Sequence, residues 1–253
     1  MSEPDWSGGV LKSVRVPAAE LSEEYIAGMW DLYRRYYGGT DEGLFRSDLA
    51  GKTDVVLMRD GCGNLRGFST IEVSPEQAAG RPVLVIFSGD TIVDHRYWGR
   101  NDFAFTWIRF LAEARRRYPG LPLYWLLIVK GHRTYRYLSV FSRRYYPAPD
   151  WPTPPETQAL IDELAARRFG AAYERESGLL RFPESRGHLE GDWAAVPDAA
   201  RRKREVAYFL ERNPGYGRGD ELVCLCEVRE ENMQPLTLRL YRQGRRAADP
   251  VHG

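Results

Sequence analysis

Cysteine is scarce in this chain, with three residues, Cys62, Cys224 and Cys226, among 253. The number is odd and the spacing matches no zinc-binding pattern, so a disulfide framework is excluded and no metal is expected. The thiols read as reduced packing residues. A strong charge of either sign is also missing. The formal net charge is +1, which gives no basic footprint for a nucleic-acid partner. No stretch approaches the roughly 20 apolar residues that span a bilayer. The opening residues, with Glu3, Pro4 and Asp5, lack the basic-then-apolar order of a signal peptide, which predicts a cytoplasmic location. No internal repeat is found. What is present is 43% hydrophobic, 28% charged and 13% aromatic, the make-up of a globular chain with one large domain, or one domain and a sizeable extension.

The most informative stretch runs from Val83 to Leu111. Val83 to Val93 is dense in β-branched and apolar residues, a run that belongs inside a sheet. The pattern stops at 94–101, Asp-His-Arg-Tyr-Trp-Gly-Arg-Asn. From Asp102 it turns helical, with Phe103, Trp107, Phe110, Leu111 and Ala114 on one face and Arg115 to Arg117 at the negative end of the dipole. The first amides of such a helix have no internal acceptor and form an anion site, to which Arg96, Arg100 and a close backbone approach at Gly99 would add. An ordinary strand-to-helix connection explains the same residues.

The remaining elements come in order along the chain. Val10 to Val16 reads as a strand closed by Pro17. Ser22 caps a helix of about four turns that ends at Gly38-Gly39. A shorter helix over Glu42 to Leu49 precedes a hairpin of Val55 to Met58 and Gly67 to Val73. Pro122 to Val129 is a second internal strand, and Thr134 to Arg144 a helix with Tyr135, Leu138 and Phe141 inward. Five prolines lie between Pro147 and Pro155, a stiff connector. Beyond it the pattern predicts a helix over Glu156 to Phe169, a strand-like segment over Ala172 to Phe182, a helix over Asp198 to Arg212, and strands at Glu221 to Val228 and Leu236 to Tyr241. The expected organisation is a core over 1–146, the connector over 147–155, an extension over 156–243 packing on or completing the core, and a disordered tail over 244–253.

This order, with a strand-turn-helix at its centre, resembles the GNAT acyltransferase superfamily over residues 10 to about 146. The resemblance implies an α/β fold, a mixed central sheet flanked by helices, here with a C-terminal α+β extension. The family's pyrophosphate turn reads Arg or Gln-x-x-Gly-x-Gly or Ala. Arg96-Tyr97-Trp98-Gly99-Arg100-Asn101 matches its first Arg and first Gly and places Asn101 at the small residue. The resemblance therefore implies donor binding by Arg96, Trp98, Gly99, Arg100 and Asn101, and backbone pairing of a pantetheine arm by Thr91, Ile92 and Val93. The donor would be acyl-CoA or an acyl-phosphopantetheine on an acyl carrier protein. The position of the family's thiolate-protonating tyrosine falls on Phe141, so Tyr137, one turn earlier, is the candidate acid.

A base is needed to make an amine acceptor neutral. Asp90, an acid inside an apolar strand, is the first candidate, and a structural partner of a nearby arginine is its alternative role. Glu72, His95 and His132 compete with it. Four arginines on one predicted helix, Arg133, Arg136, Arg143 and Arg144, suit a phosphoadenosine tail, an acidic carrier protein or a solvated face. The expected activity is transfer of an acyl group from a thioester to a small-molecule or peptide amine by direct attack in a ternary complex. A fatty-acyl transferase acting on a peptide or metabolite amine, and a degenerate copy of the fold that only binds, are the alternatives.

Overall fold

The structure, a computed structural model, describes residues 11–98 and 102–246. Its elements are β1 (Lys12–Pro17), α1 (Glu23–Tyr33), β2 (Tyr37–Gly38), α2 (Glu42–Ala50), β3 (Asp54–Arg59), β4 (Leu65–Ala78), β5 (Arg81–Val93), α3 (Asp102–Arg117), β6 (Leu123–Val129), α4 (His132–Phe141), α5 (Pro155–Phe169), β7 (Tyr173–Glu174), β8 (Leu179–Leu180), β9 (His188–Leu189), α6 (Asp198–Arg201), α7 (Arg204–Arg212), β10 (Glu221–Glu227) and α8 (Pro235–Arg246). Short 3-10 turns, among them His95–Tyr97, link several of these. None of the described helices is long and apolar enough to cross a membrane.

Eight strands form one sheet in the order β1-β3-β4-β5-β6-β10-β8-β7. All its neighbours are antiparallel except β5 and β6, whose parallel pairing runs from Leu84↔Leu123 to Ser88↔Leu127 and stops there. The mixed α/β sheet flanked by helices is the fold class that the resemblance implied. Apolar side chains of β5 alternate between two cores because successive residues of a strand point to opposite faces. Leu84 and Ile86 join a core with α3, α4, α7 and α8, while Val83, Val85 and Phe87 join one with α5. A third core holds α1 and α2 against β3 and the ends of β4 and β5.

The segments on either side of the proline-rich stretch share the sheet. β10 pairs along the whole of β6, from Leu222↔Val129 to Glu227↔Tyr124, and Tyr146 bridges to Leu225 in two backbone hydrogen bonds of 2.9 and 2.8 Å. Both cysteines of β10 are buried in the α3 core.

Four expected elements differ from those observed. Leu236 to Tyr241 is part of a helix, not a strand. Its alternating leucines mimic strand period, yet the buried residues are Thr237, Leu240 and Tyr241, which is helical spacing. Gly244, expected in a disordered tail, lies inside that helix, and a Cβ there would sit 3.1 Å from the Cβ of Ala112 and 3.2 Å from the Cα of Arg109. Only a hydrogen fits at that Cα without a shift of α3. The helix opening at Ser22 ends at Tyr33, because Tyr37-Gly38 leaves it to pair with His188-Leu189. The strand-like stretch Ala172 to Phe182 contains only two pairs, Tyr173↔Leu180 and Glu174↔Leu179, and the helix expected over Asp198 to Arg212 breaks between Arg201 and Arg204.

Candidate active site

The site is built where β5 and β6 part. Opposite β4, Ser69 faces Thr91 but Ile71 faces Ser88, so Gly89 and Asp90 stand against the single residue Thr70. This is a bulge on β5, which bends the strand and re-aims the residues beyond it. Any side chain at 89 would force its neighbours to shift. A Cβ there would lie 2.7 Å from the Thr70 hydroxyl oxygen and 3.0 Å from Cε of Lys52. Past the bulge, the amide of Asp94 donates to the carbonyl of Arg66 on β4 at 2.8 Å. Alternation then turns the amide and carbonyl of Val93 and of Thr91 away from β4, toward the gap left by β6. The carbonyl of Val93 accepts from the Trp98 indole at 2.8 Å.

The gap is a cleft of about 540 Å³ lined by Thr91, Ile92 and Val93 on one side and by Gly131, His132, Arg133, Thr134, Arg136, Tyr137, Val140 and Phe141 on the other. Leu189, Trp193, Ala194, Pro197, Ala200 and Tyr216, from the expected extension, close its remaining wall. An aromatic seam ties that wall to β5. Trp193 lies 4.9 Å from His95 and 5.6 Å from Trp98 between ring centres, and the Arg133 guanidinium sits 4.1 Å over the Trp98 ring while donating to the Trp193 carbonyl at 3.3 Å. Tyr36 holds His95 from below, its hydroxyl accepting from the His95 amide at 2.8 Å and lying 3.2 Å from Nδ1.

On the other side of Thr91 lies a smaller cavity of about 120 Å³. Tyr37, Thr91 and Thr134 line both spaces and mark where they meet. The Thr91 hydroxyl is fixed 2.8 Å from that of Ser69. Asp90 lines the small cavity with Tyr33, Tyr37, Asp48, Lys52, Lys130, Arg186 and Glu221. Its carboxylate makes no hydrogen bond or ion pair among the described residues. Burial raises its pKa above the usual carboxylate range, against the pull of Lys130 and Lys52 and with help from Asp48. Glu221 is likewise raised by burial, although Lys130 approaches it at 3.3 Å.

The other sequence candidates separate. Tyr137 lines the cleft, stacked on Phe141 at 5.6 Å and 13°, and burial raises its pKa, so it keeps its proton. His132 lines the same cleft, and burial with Arg133, Arg136, Arg201 and Lys203 pushes it down to about 4, leaving it neutral at pH 7 and a weak base. Glu72 lines neither space. Its carboxylate accepts from Arg168 at 2.7 Å, beside Ser74 and Glu76. Arg96 grips Asp94, with Nε to Oδ1 at 3.0 Å and Nη2 to Oδ2 at 2.6 Å. Burial raises the Asp94 carboxyl, but the hydrogen bonds and charge of Arg96 outweigh it and hold the group low. Gly99, Arg100 and Asn101 lie outside the described residues. Trp193 and Glu221 carry no signal in the sequence, since only the return of the chain after residue 170 brings them here, and Lys130, just past the end of β6, gains its partner Glu221 by that return. Among the described residues no group of three or more His, Cys, Asp or Glu is placed to hold a metal ion.

No family model and no curated protein sequence matches this chain. Solved structures show partial likeness. A GNAT family N-acetyltransferase (YhbS) of Escherichia coli in complex with CoA is 16% identical with a TM-score of 0.38, covering 56% of this chain and 72% of its own. A GCN5-related N-acetyltransferase of Kribbella flavida is 17% identical with a TM-score of 0.39, covering 55% of this chain, which spans only 35% of its length. An acyl-CoA N-acyltransferase of Pseudomonas aeruginosa is 19% identical with a TM-score of 0.37, covering 52% of this chain and 88% of its own.

Proposed function

We propose that this chain is a GNAT-like N-acyltransferase that moves an acyl group from an acyl-CoA thioester to an amine by direct attack. The observation that carries the reading is the parting of β5 from β6 after Ser88 and Leu127, beside an unpaired acid on a bulge. A pantetheine arm has amides spaced like those of a strand, and Thr91 and Val93 turn backbone groups into the gap that such an arm would fill. Cleft walls of Ile92, Val93, Val140 and Phe141 suit its methylene stem, while Arg133 and Arg136 offer charge to the phosphates.

In this reading the acceptor ammonium enters the small cavity and gives a proton to Asp90, whose raised pKa narrows the gap to an amine. The neutral amine attacks the thioester carbonyl near Thr91, where the two spaces meet. A backbone amide of the open strand edge polarises that carbonyl, and alignment of the two substrates supplies much of the rate. Collapse of the tetrahedral intermediate expels the thiolate, which Tyr137 protonates from the cleft wall. With a thiol pKa of roughly 8.5, the thiolate is a competent leaving group even without that proton.

Thiol release from acetyl-CoA and from longer acyl-CoA donors, measured with a panel of amines and with acyl carrier protein as rival donor, tests the reading. Amine-dependent release with an acylated product identified by mass supports it, and the preferred donor separates the acetyl, fatty-acyl and carrier-protein versions. Tight coenzyme A binding with no release for any amine would reduce the fold to a binding module.

A further inference from the structure

Six charged side chains line the small cavity, and four of them pair off. Asp48 accepts from Arg186 at 3.2 Å, and Glu221 meets Lys130 at 3.3 Å. Lys130 also donates to the Arg186 carbonyl at 2.9 Å, which ties the two pairs together. Asp90 and Lys52 are left over. Neither makes an ion pair or a side-chain hydrogen bond among the described residues, and they stand too far apart to pair with each other. Lys52 instead rests over the Phe87 ring, its Nζ 5.0 Å from the centre.

An unpaired carboxylate and an unpaired ammonium in one half-enclosed space are each costly, and a ligand carrying both opposite charges would satisfy both at once. Aromatic walls surround them, from Phe45, Phe87, Phe169 and Phe182 with Tyr33 and Tyr37. The volume of about 120 Å³, less than a quarter of the 540 Å³ of the neighbouring cleft, suits a small molecule. An acceptor that was a plain amine would leave Lys52 without a partner, and an extended peptide carries its carboxylate too far from its terminal amine to bring both charges to Asp90 and Lys52 in one cavity.

We propose that the cavity is a zwitterion site and that the acceptor is a small free α-amino acid, with its ammonium on Asp90 and its carboxylate on Lys52. The chemistry rests on the acyl-transfer reading above. The amino nitrogen loses two protons, one before attack and one from the tetrahedral intermediate. A carbon–nitrogen bond forms as the carbon–sulfur bond breaks. One proton ends on the departing thiolate and one in solvent, leaving an N-acyl amino acid, which keeps its carboxylate, and the free thiol.

Calorimetry on the full chain with free alanine and free leucine, each against its methyl ester, tests the site without requiring turnover. The ester keeps the amine and removes the negative charge. Free amino acids are expected to bind about 10- to 100-fold more tightly than their esters, the effect of losing one charge-assisted contact. Lys52→Met should erase that difference, and Lys52→Arg should restore much of it. Equal binding of acid and ester, or no binding of either, overturns the zwitterion site. Selective binding with no thiol release from any acyl-CoA would keep the site and remove the acyl-transfer reading. Release with plain amines and esters at the rate for free amino acids would keep acyl transfer and remove this assignment.

Discussion

Replacing Asp90 by asparagine should separate function from stability in opposite directions. The carboxylate sits on the β5 bulge in a partly enclosed cavity with no hydrogen-bond or ion-pair partner among the described residues, and burial raises its pKa above 3.8 despite Lys130 and Lys52. A group raised in this way binds its proton more tightly in the folded state than in the unfolded one. Folding is therefore weakened as pH climbs from about 3.8 through the raised value, and the deficit persists above it. Asparagine has nearly the same shape without the charge, so Asp90→Asn should melt higher at pH 7, by roughly 2–4 °C for each 1 kcal/mol recovered in a chain of this size. The advantage should vanish as pH falls below the ordinary carboxylate pKa, where both states hold the proton. Turnover should drop by roughly 10²- to 10⁴-fold, the range of a lost general base, and the rising acid limb of the pH–rate profile should flatten. Differential scanning fluorimetry across pH and thiol-release kinetics read the two effects. A variant with wild-type turnover and an unchanged acid limb would refute the role of Asp90. A lower melting temperature at pH 7 would show that the carboxylate is a structural partner.

Tyr137→Phe should cost about 10²-fold in turnover with little change in donor affinity, as the low end of general-acid effects requires, and a wild-type rate would return Tyr137 to packing. Tyr135→Phe is its control. The Tyr135 hydroxyl donates to the Pro147 carbonyl at 2.8 Å deep in the core, so its loss should appear as about 1 kcal/mol of stability and not in turnover. His132, pushed down from 6.5 to about 4, stays neutral in the folded state while the unfolded chain gains a proton below 6.5. Stability should thus fall as pH drops from 6.5 to 4, by roughly 3 kcal/mol at most, and His132→Asn should remove that part of the acid sensitivity in a pH series of melting curves. Trp193→Ala opens the aromatic seam with His95 and Trp98 and should weaken acyl-CoA binding by calorimetry while the small cavity still binds its ligand.

The parts of this molecule legible in the sequence are those set by local pattern. β5 and β6 show themselves as long apolar runs because both faces are buried, and Ser22 marks the start of α1 because its hydroxyl does accept from the Tyr25 amide. Asp90 is visible because a charge inside such a run is costly wherever it points. Features that depend on distant partners stay hidden. Glu72 reads as a candidate base, and only α5 supplies the Arg168 that engages it 96 positions later. A near neighbour can be missed as well: Arg96 reads as a phosphate contact, and Asp94, two residues away, engages its guanidinium. The alternating leucines of α8 give a strand pattern, and the groove along α3 that accepts Gly244 is a property of two helices together. The wall of the cleft around Trp193, and the Lys130–Glu221 pair, arise from the return of the chain through β9 and β10. No periodicity within 156–243 announces it.

Hydrogen exchange over 89–93, monitored with and without acetyl-CoA, tests the central claim most directly. If the donor lies along the open edge of β5 as an added strand, exchange in this segment should slow markedly on binding, with Thr91 and Val93 most affected, while Leu84 to Ser88, already paired with β6, should not change. Binding of acetyl-CoA with no added protection at 91–93 would place the donor elsewhere and contradict the account.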